Sequence, residues 1–343
     1  MPTKLWHRAS LAALLAPVLL LAACSGQTGG DSSSPPPAES TADPSPSTLP
    51  SAPASTPPVL QPPSIAEQFI QRVSLPDAQP SVLLEDLHVS LSRTEAPEQA
   101  DAMLRVMDAY LAGQLSKVQQ TYEAESVQNA LSALTFPITE AQFDGLPDAD
   151  VRELVTKTVA DGYKLTAVEG FIFPVIDYDD LLVLAEGASP AMQAYLAIMA
   201  AESNAHTAGD GGLAITREEL LSRTLRSEAY LQKYADTPES GTVETMFGNY
   251  LTMYLLGLPN SPVIDESNSY RVLPDIASEW RQTAADHADT VSGMMTQRLL
   301  DLLDKYDGAM YKKGKDGQRE DIPEMKAFRD GFIIVAKAEL QHT

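Results

Sequence analysis

From Ser64 to the C-terminus, apolar residues recur three and four positions apart in one run after another, the period of helices that each bury a single face. Ser64 and Glu67 form an S-x-x-E capping box ahead of Ile65, Phe69, Ile70 and Val73, so an ordered region opens there, and Pro76 and Pro80 end this first helix. A second helix is expected from Ser81 to about Ser92, with Leu84, Leu87 and Leu91 along one side. A third opens at Pro97, a first-turn proline, and carries Met103, Val106, Met107, Tyr110, Leu111, Leu115 and Val118 towards Ala124. Val127, Leu131 and Leu134 mark a short fourth helix. Asp148 caps a fifth, which runs through Val151, Leu154, Val155 and Val159 and stops at Gly162.

The period then changes. Tyr163 to Asp177 is rich in β-branched and aromatic residues and is broken at Glu169-Gly170, which predicts a short hairpin. Helices resume at Ser189-Pro190 with Met192, Tyr195, Leu196 and Met199, and the glycine-rich stretch 208–212 separates this helix from the next. Thr216 and Glu219 make a second capping box, leading into Leu220, Leu221, Leu225, Tyr230 and Leu231. A second small hairpin is expected over Val263 to Leu273. One long helix follows from Pro274 through Trp280, Val291 and Leu302 to Tyr306, then a loop over 308–318, then a terminal helix from Pro323. The fold class is therefore mainly α: a multi-helix bundle or a stack of helical hairpins, with one or two short β-hairpins at about 163–177 and 263–273.

The first 63 residues follow neither pattern. Lys4 and Arg8 precede the short apolar run Leu11 to Leu21, the order of a secretory signal and too short to span a membrane comfortably. Leu21-Ala22-Ala23-Cys24 then resembles the lipobox of bacterial lipoproteins. The resemblance implies cleavage after residue 23, a diacylglycerol thioether on Cys24, and tethering to a membrane by lipid; the alternative is a secreted chain left with a free thiol. From Ser25 to Pro63 the sequence is Ser, Thr, Pro, Ala and Gly with eleven prolines, and Asp31, Glu39 and Asp43 are its only charges. Nothing there can build a core, and an extended stalk reaching on the order of 100 Å is expected. The domains are thus a signal peptide at 1–23, a lipidated linker at 24–63 and a single α-helical extracytoplasmic domain at 64–343, with a subdivision near 163–190 as the alternative. A Gram-positive cytoplasmic membrane is favoured over an outer membrane.

Residues 228–257, EAYLQKYADTPESGTVETMFGNYLTMYLLG, resemble the helix-turn-helix of tetratricopeptide-type bacterial lipoproteins. The resemblance covers about thirty residues, and no second copy stands at the 34-residue period of a repeat array. A generic helical hairpin fits the same residues.

Charge narrows the function. The 343 residues hold 24 Lys+Arg against 47 Asp+Glu, a formal net charge of −23. Nucleic-acid binding needs a basic face, so it is excluded, and weak binding to anionic polymers is expected. With one cysteine there is no intrachain disulfide and no cysteine-based zinc site.

The familiar catalytic signatures are missing. The sequence contains no H-E-x-x-H, G-x-S-x-G or phosphate-cradling G-x-x-x-x-G-K-[ST] motif. Asp177, Asp179 and Asp180 form the best carboxylate cluster, placed after an apolar strand and near Glu169 if the hairpin forms. Helix capping with a solvated surface is the first reading of these acids; as an oxygen-rich loop they could instead hold Ca2+, although the spacing is not that of an EF-hand. Glu202 and His206, four apart on a helix, could share a metal ion, and paired acids from Glu169, Asp177, Asp179 and Glu202 could perform glycosidase-like acid/base chemistry. No cofactor is implied. Lys312, Lys313, Lys315 and Arg319 form a basic island that is either a soluble loop or a contact for anionic wall polymer or lipid headgroups. Two functions remain: a lipid-anchored protein that binds or scaffolds a cell-envelope protein or wall-associated ligand, and, as the alternative, an envelope hydrolase using paired carboxylates.

Overall fold

The computed structural model describes residues 62–342, so the lipobox-like segment with Cys24 and the proline-rich stretch to residue 61 lie outside the described residues. The described part is mainly helical with small hairpins between the helices. It opens with α1 (Ile65–Val73), α2 (Pro80–Leu91), α3 (Pro97–Gln120) and α4 (Glu125–Leu131). A 3-10 turn (Glu140–Gly145) then leads to α5 (Ala149–Ala160). The hairpin of β1 (Tyr163–Val168) and β2 (Phe171–Ile176) follows, then α6 (Tyr178–Leu184) and α7 (Pro190–Asn204). A miniature hairpin, β3 (Ala208–Gly209) and β4 (Gly212–Leu213), precedes α8 (Arg217–Lys233) and α9 (Ser240–Leu256). The chain closes with β5 (Ile264–Asp265), β6 (Arg271–Val272), α10 (Pro274–Asp286), α11 (Val291–Lys305), β7 (Tyr311–Lys313), β8 (Arg319–Asp321) and α12 (Pro323–Leu340).

Local chemistry explains the helix starts. Proline occupies the first helical position of α2, α3, α7, α10 and α12, where its missing N–H costs nothing and its fixed φ suits the helix. Pro80 therefore begins α2 as well as standing beyond α1. The Ser64–Glu67 box is complete, with Glu67 N donating to Ser64 Oγ at 3.2 Å and Ser64 N to Glu67 Oε2 at 2.7 Å. The Thr216 box is only half formed: Thr216 accepts from Glu219 N at 3.1 Å, but the Glu219 carboxylate turns to Arg223 Nε at 2.9 Å.

Two expectations need correction. The single helix from Pro274 to Tyr306 is two, broken at His287–Thr290, because Thr290 caps α11 and Gly293 passes so near His287 that a Cβ would lie 1.9 Å from its carbonyl oxygen. The loop over 308–318 contains β7 and begins the turn into β8, since Asp316-Gly317 is a hairpin turn between pairable strands. The acidic stretch after the first hairpin caps a helix, as expected, rather than forming an oxygen-rich loop. Asp177 is the N-cap of α6 and Asp179 and Asp180 form its first turn, where negative charge meets the positive end of the helix dipole.

Packing follows from the apolar faces. The larger core cluster joins Phe69, Leu87, Met103, Met107, Phe247, Tyr254, Trp280, Met295 and Phe332, all essentially without exposure. A smaller one gathers Tyr122, Leu131, Phe143, Val151, Val155, Leu165 and Ile172 between α4, α5 and the first hairpin. That hairpin serves both clusters, because Tyr163 and Ile176 at its open end belong to the larger while Leu165 and Ile172 belong to the smaller. α8 packs on α9 and α10 on α11, so residues 228–257 fall in a helical hairpin whose turn is Tyr234–Glu239. Among the described residues no helix is long and apolar enough to cross a membrane.

Candidate functional site

A groove of about 480 Å3 opens between α2, α3, the C-terminal end of α5 and α6. Leu84, Leu111, Leu181 and Leu184 give it an apolar lining, and Glu85, His88, Asp177 and Asp180 stand among them. Gly162 makes the close approach possible: it ends α5 at φ +88°, and a Cβ there would meet Leu84 Cδ1 at 2.8 Å. Exposed valines flank the opening. Val82 and Val89 share the α2 face that carries Glu85, three and four residues away, and Val183 is 77% exposed on α6.

Asp177 and Asp180 are the sequence-predicted acids that meet in this groove. Asp177 Oδ1 accepts from Asp179 N at 3.1 Å and lies 3.3 Å from Lys164 Nζ, so helix capping and an ion pair already occupy it. The Asp180 carboxyl is pushed up, first by desolvation against the groove wall and then by the charge of Asp177, with Lys164 opposing. Asp179 turns away to Lys164 Nζ at 2.8 Å and Asn204 Nδ2 at 3.1 Å. The Ca2+ expectation therefore meets an ammonium: Lys164 lies between Asp177 and Asp179, and no three His, Cys, Asp or Glu side chains converge as a metal site would among the described residues.

The other two acids lie elsewhere. Glu169 sits at the tip of the β1–β2 hairpin, and Tyr163 pairs with Ile176 at the opposite, open end next to Asp177. Six strand residues of about 3.3 Å each hold the two ends roughly 20 Å apart, so forming the hairpin separates Glu169 from Asp177. Glu169 Oε1 instead accepts from Asp210 N at 3.1 Å and ties this turn to the β3–β4 turn. Glu202 is fully engaged. Its carboxylate accepts from Thr207 N at 2.9 Å, Thr207 Oγ1 at 2.6 Å, Tyr250 OH at 2.7 Å and Arg223 Nη1 at 3.0 Å. Its lone pairs go to Thr207, Tyr250 and Arg223 rather than to a metal shared with His206, and of the acids Glu169, Asp177, Asp179 and Glu202 only Asp177 and Asp179 come together, bridged by Lys164.

The most connected polar face was not singled out in the sequence. Asp101, Arg105 and Asp108 lie four and three apart on α3, a charged stripe beside the apolar Met103, Met107 and Leu111. Asp101 Oδ1 accepts from Ser189 N at 2.8 Å, Arg105 pairs with the buried Glu239, and Asp108 accepts from Tyr178 OH at 2.8 Å and Tyr195 OH at 2.9 Å. This stripe binds α6, and with it the acidic wall of the groove, to α3. The charges at i, i+4 and i+7 were the available signal.

Burial pushes the Asp108 carboxyl above its ordinary value near 3.8, against the lowering effect of the two tyrosine hydroxyls. The folded chain then holds this proton more tightly than the unfolded one. The stability it contributes is complete below the unfolded value and is lost as pH rises through the folded one. Asp108→Asn removes that titration, so urea melts from about pH 4 upward are expected to show a shallower decline than wild type. The difference should be at most about 1.4 kcal/mol per pH unit. Parallel stability curves for the two chains would contradict the assignment.

The chain matches no protein-family model, and its comparison with curated proteins and with solved structures likewise yields no match.

Proposed function

We propose that this chain is a lipid-anchored extracytoplasmic binding protein whose helical body holds a cationic, amphipathic segment of a cell-envelope protein in the groove between α2 and α6. The observation that carries this reading is the groove's composition, an apolar surface whose accessible part is Leu84, Val183 and Leu184, edged by Glu85, Asp177 and Asp180. Leucine-like side chains of the partner cover this surface, where buried apolar area supplies the driving force. Its lysines or arginines meet Glu85 and Asp180, since Asp177 is already held by Lys164, and a chain of net charge −23 steers such a segment towards them. The exposed Val82 and Val89 extend the apolar contact beyond the groove itself.

The anchoring half of the proposal rests on the lipobox resemblance at Cys24. The hydrolase alternative loses ground on the geometry, because Asp177 is held by capping and by Lys164 while Glu169 and Glu202 carry structural hydrogen bonds elsewhere.

The test is a titration of the full chain with two labelled helical peptides of equal length, one of leucine and lysine, the other of leucine and glutamate. The lysine peptide is expected to saturate, more weakly as salt rises, and the glutamate peptide not to bind. Val183→Lys, at a side chain that is 77% exposed, leaves the fold intact and is expected to weaken the lysine peptide about tenfold. Equal affinity for the two peptides, or no effect of Val183→Lys, would refute the reading.

A further inference from the structure

A second hollow, of about 460 Å3, opens where the β7–β8 hairpin meets the turn between β5 and β6, and its chemistry is opposite to that of the acidic groove. Arg271, Lys312 and Lys313 line it against the single carboxylate of Asp307, beside the rings of Tyr306 and Tyr311. Arg271 pairs with Asp307 and Lys312 lies 3.2 Å from Glu320, while Lys313 has no ion pair among the described residues. Two further guanidiniums, of Arg319 and Arg329, lie over the Tyr311 ring at 4.6 and 4.0 Å from its centroid. The basic island of the sequence is therefore a folded surface. Asp307, Glu320 and Asp321 neutralise Arg271, Lys312 and Arg329 in direct ion pairs, so the remaining positive charge of the hollow is that of Lys313 and Arg319.

The walls are also fixed in uncommon backbone. Ser269, Tyr270 and Asp307 have φ of 57°, 58° and 52°, the left-handed region where side chains other than glycine are strained, and such strain gathers at ligand clamps. The two strained turns are stitched together by Val272 N to Gly308 O at 2.9 Å and Met310 N to Tyr270 O at 3.0 Å. Tyr270 then meets the Tyr311 ring edge-on at 6.1 Å. Binding there would demand little ordering of the protein.

We propose that this hollow is a binding site for a sugar phosphate. Lys313 supplies a charge-assisted hydrogen bond to a phosphate oxygen, and the donors of Arg271 and Lys312 that do not face Asp307 and Glu320 add to it. A volume of this order lies within the range of organic-ligand pockets and exceeds the needs of bare phosphate, leaving room for the body of a sugar ring beside the cations. The site is independent of the acidic groove and stands or falls separately from it.

Calorimetric titration of the full chain with glucose 6-phosphate, glycerol 3-phosphate, inorganic phosphate and glucose tests the assignment. Glucose 6-phosphate is expected to bind most tightly, with the other three weaker or silent. Lys313→Glu, an exposed position in a short hairpin, is expected to weaken it at least about tenfold. An unchanged circular dichroism spectrum and urea midpoint serve as the fold control for this variant. Displacement of glucose 6-phosphate by phosphatidylinositol nanodiscs assigns the unit to a lipid headgroup. Failure of displacement assigns it to a soluble or polymer-borne sugar phosphate, and either result keeps the site. No binding of glucose 6-phosphate, equal binding of inorganic phosphate, or indifference to Lys313→Glu overturns the proposal.

Discussion

Cys24→Ser is expected to shift the full chain from the membrane fraction to the soluble fraction of detergent-free lysates, the largest single effect of any substitution discussed. The proposed anchor is a thioether through the only thiol in the sequence, and serine cannot form it. Each buried CH2 of an acyl chain contributes about 0.8 kcal/mol; one chain holds a protein marginally, and two or more hold it lastingly. Losing all of them at once removes the whole attachment. Among the described residues no helix is long and apolar enough to cross a membrane. Retention of an uncleaved leader could mimic anchoring, so the intact mass of the wild-type chain is the companion measurement: it should show residues 1–23 removed and a diacylglycerol added. An unmodified mass, or a Cys24→Ser chain that stays as firmly in the membrane fraction, would end the proposal of a tethered protein.

How far the sequence could be read depended on the range of the interactions involved. Capping boxes, first-turn prolines and the Glu169-Gly170 turn act within a few residues, and they located most helices and the first hairpin to within a residue or two. The break between α10 and α11 escaped because the apolar spacing runs through it. Its cause is the close passage of Gly293 by His287 together with a cap supplied from outside the helix pair. The carboxylates show the same limit. Asp177, Asp179 and Asp180 were rightly seen as neighbours, being adjacent in sequence. The Lys164 that pairs with Asp177 and Asp179, however, comes from the hairpin, and the groove that Asp177 and Asp180 edge is completed by Glu85 and His88 from far upstream. Asp108 receives its two hydroxyls from residues 70 and 87 positions away, and Glu202 is claimed by Tyr250, 48 positions on. No spacing rule reaches that far, so a tally of acids could not tell an available carboxylate from one already satisfied.

Glu228 is the clearest case of such a satisfied acid, and Glu228→Ala is expected to destabilise the folded chain by about 3 to 5 kcal/mol. Its side chain lies inside the body of the protein at 1% exposure, with no ion pair among the described residues. What stabilises the charge there is the start of α11: Ser292 N donates to Oε2 at 2.9 Å, Val291 N donates to Oε1, and the Ser292 hydroxyl donates to Oε2. The carboxylate thus answers two of the orphan N–H groups that every helix N-terminus leaves unpaired, and it sits at the positive end of the helix dipole. Alanine would leave those donors buried without acceptors and open a void between α8 and α11. Glutamine keeps the volume but offers a single accepting oxygen, so Glu228→Gln should fall between alanine and wild type. Urea unfolding followed by circular dichroism gives the order directly. A loss below about 1 kcal/mol for Glu228→Ala would mean that water satisfies these groups and that the α10–α11 break does not depend on this side chain.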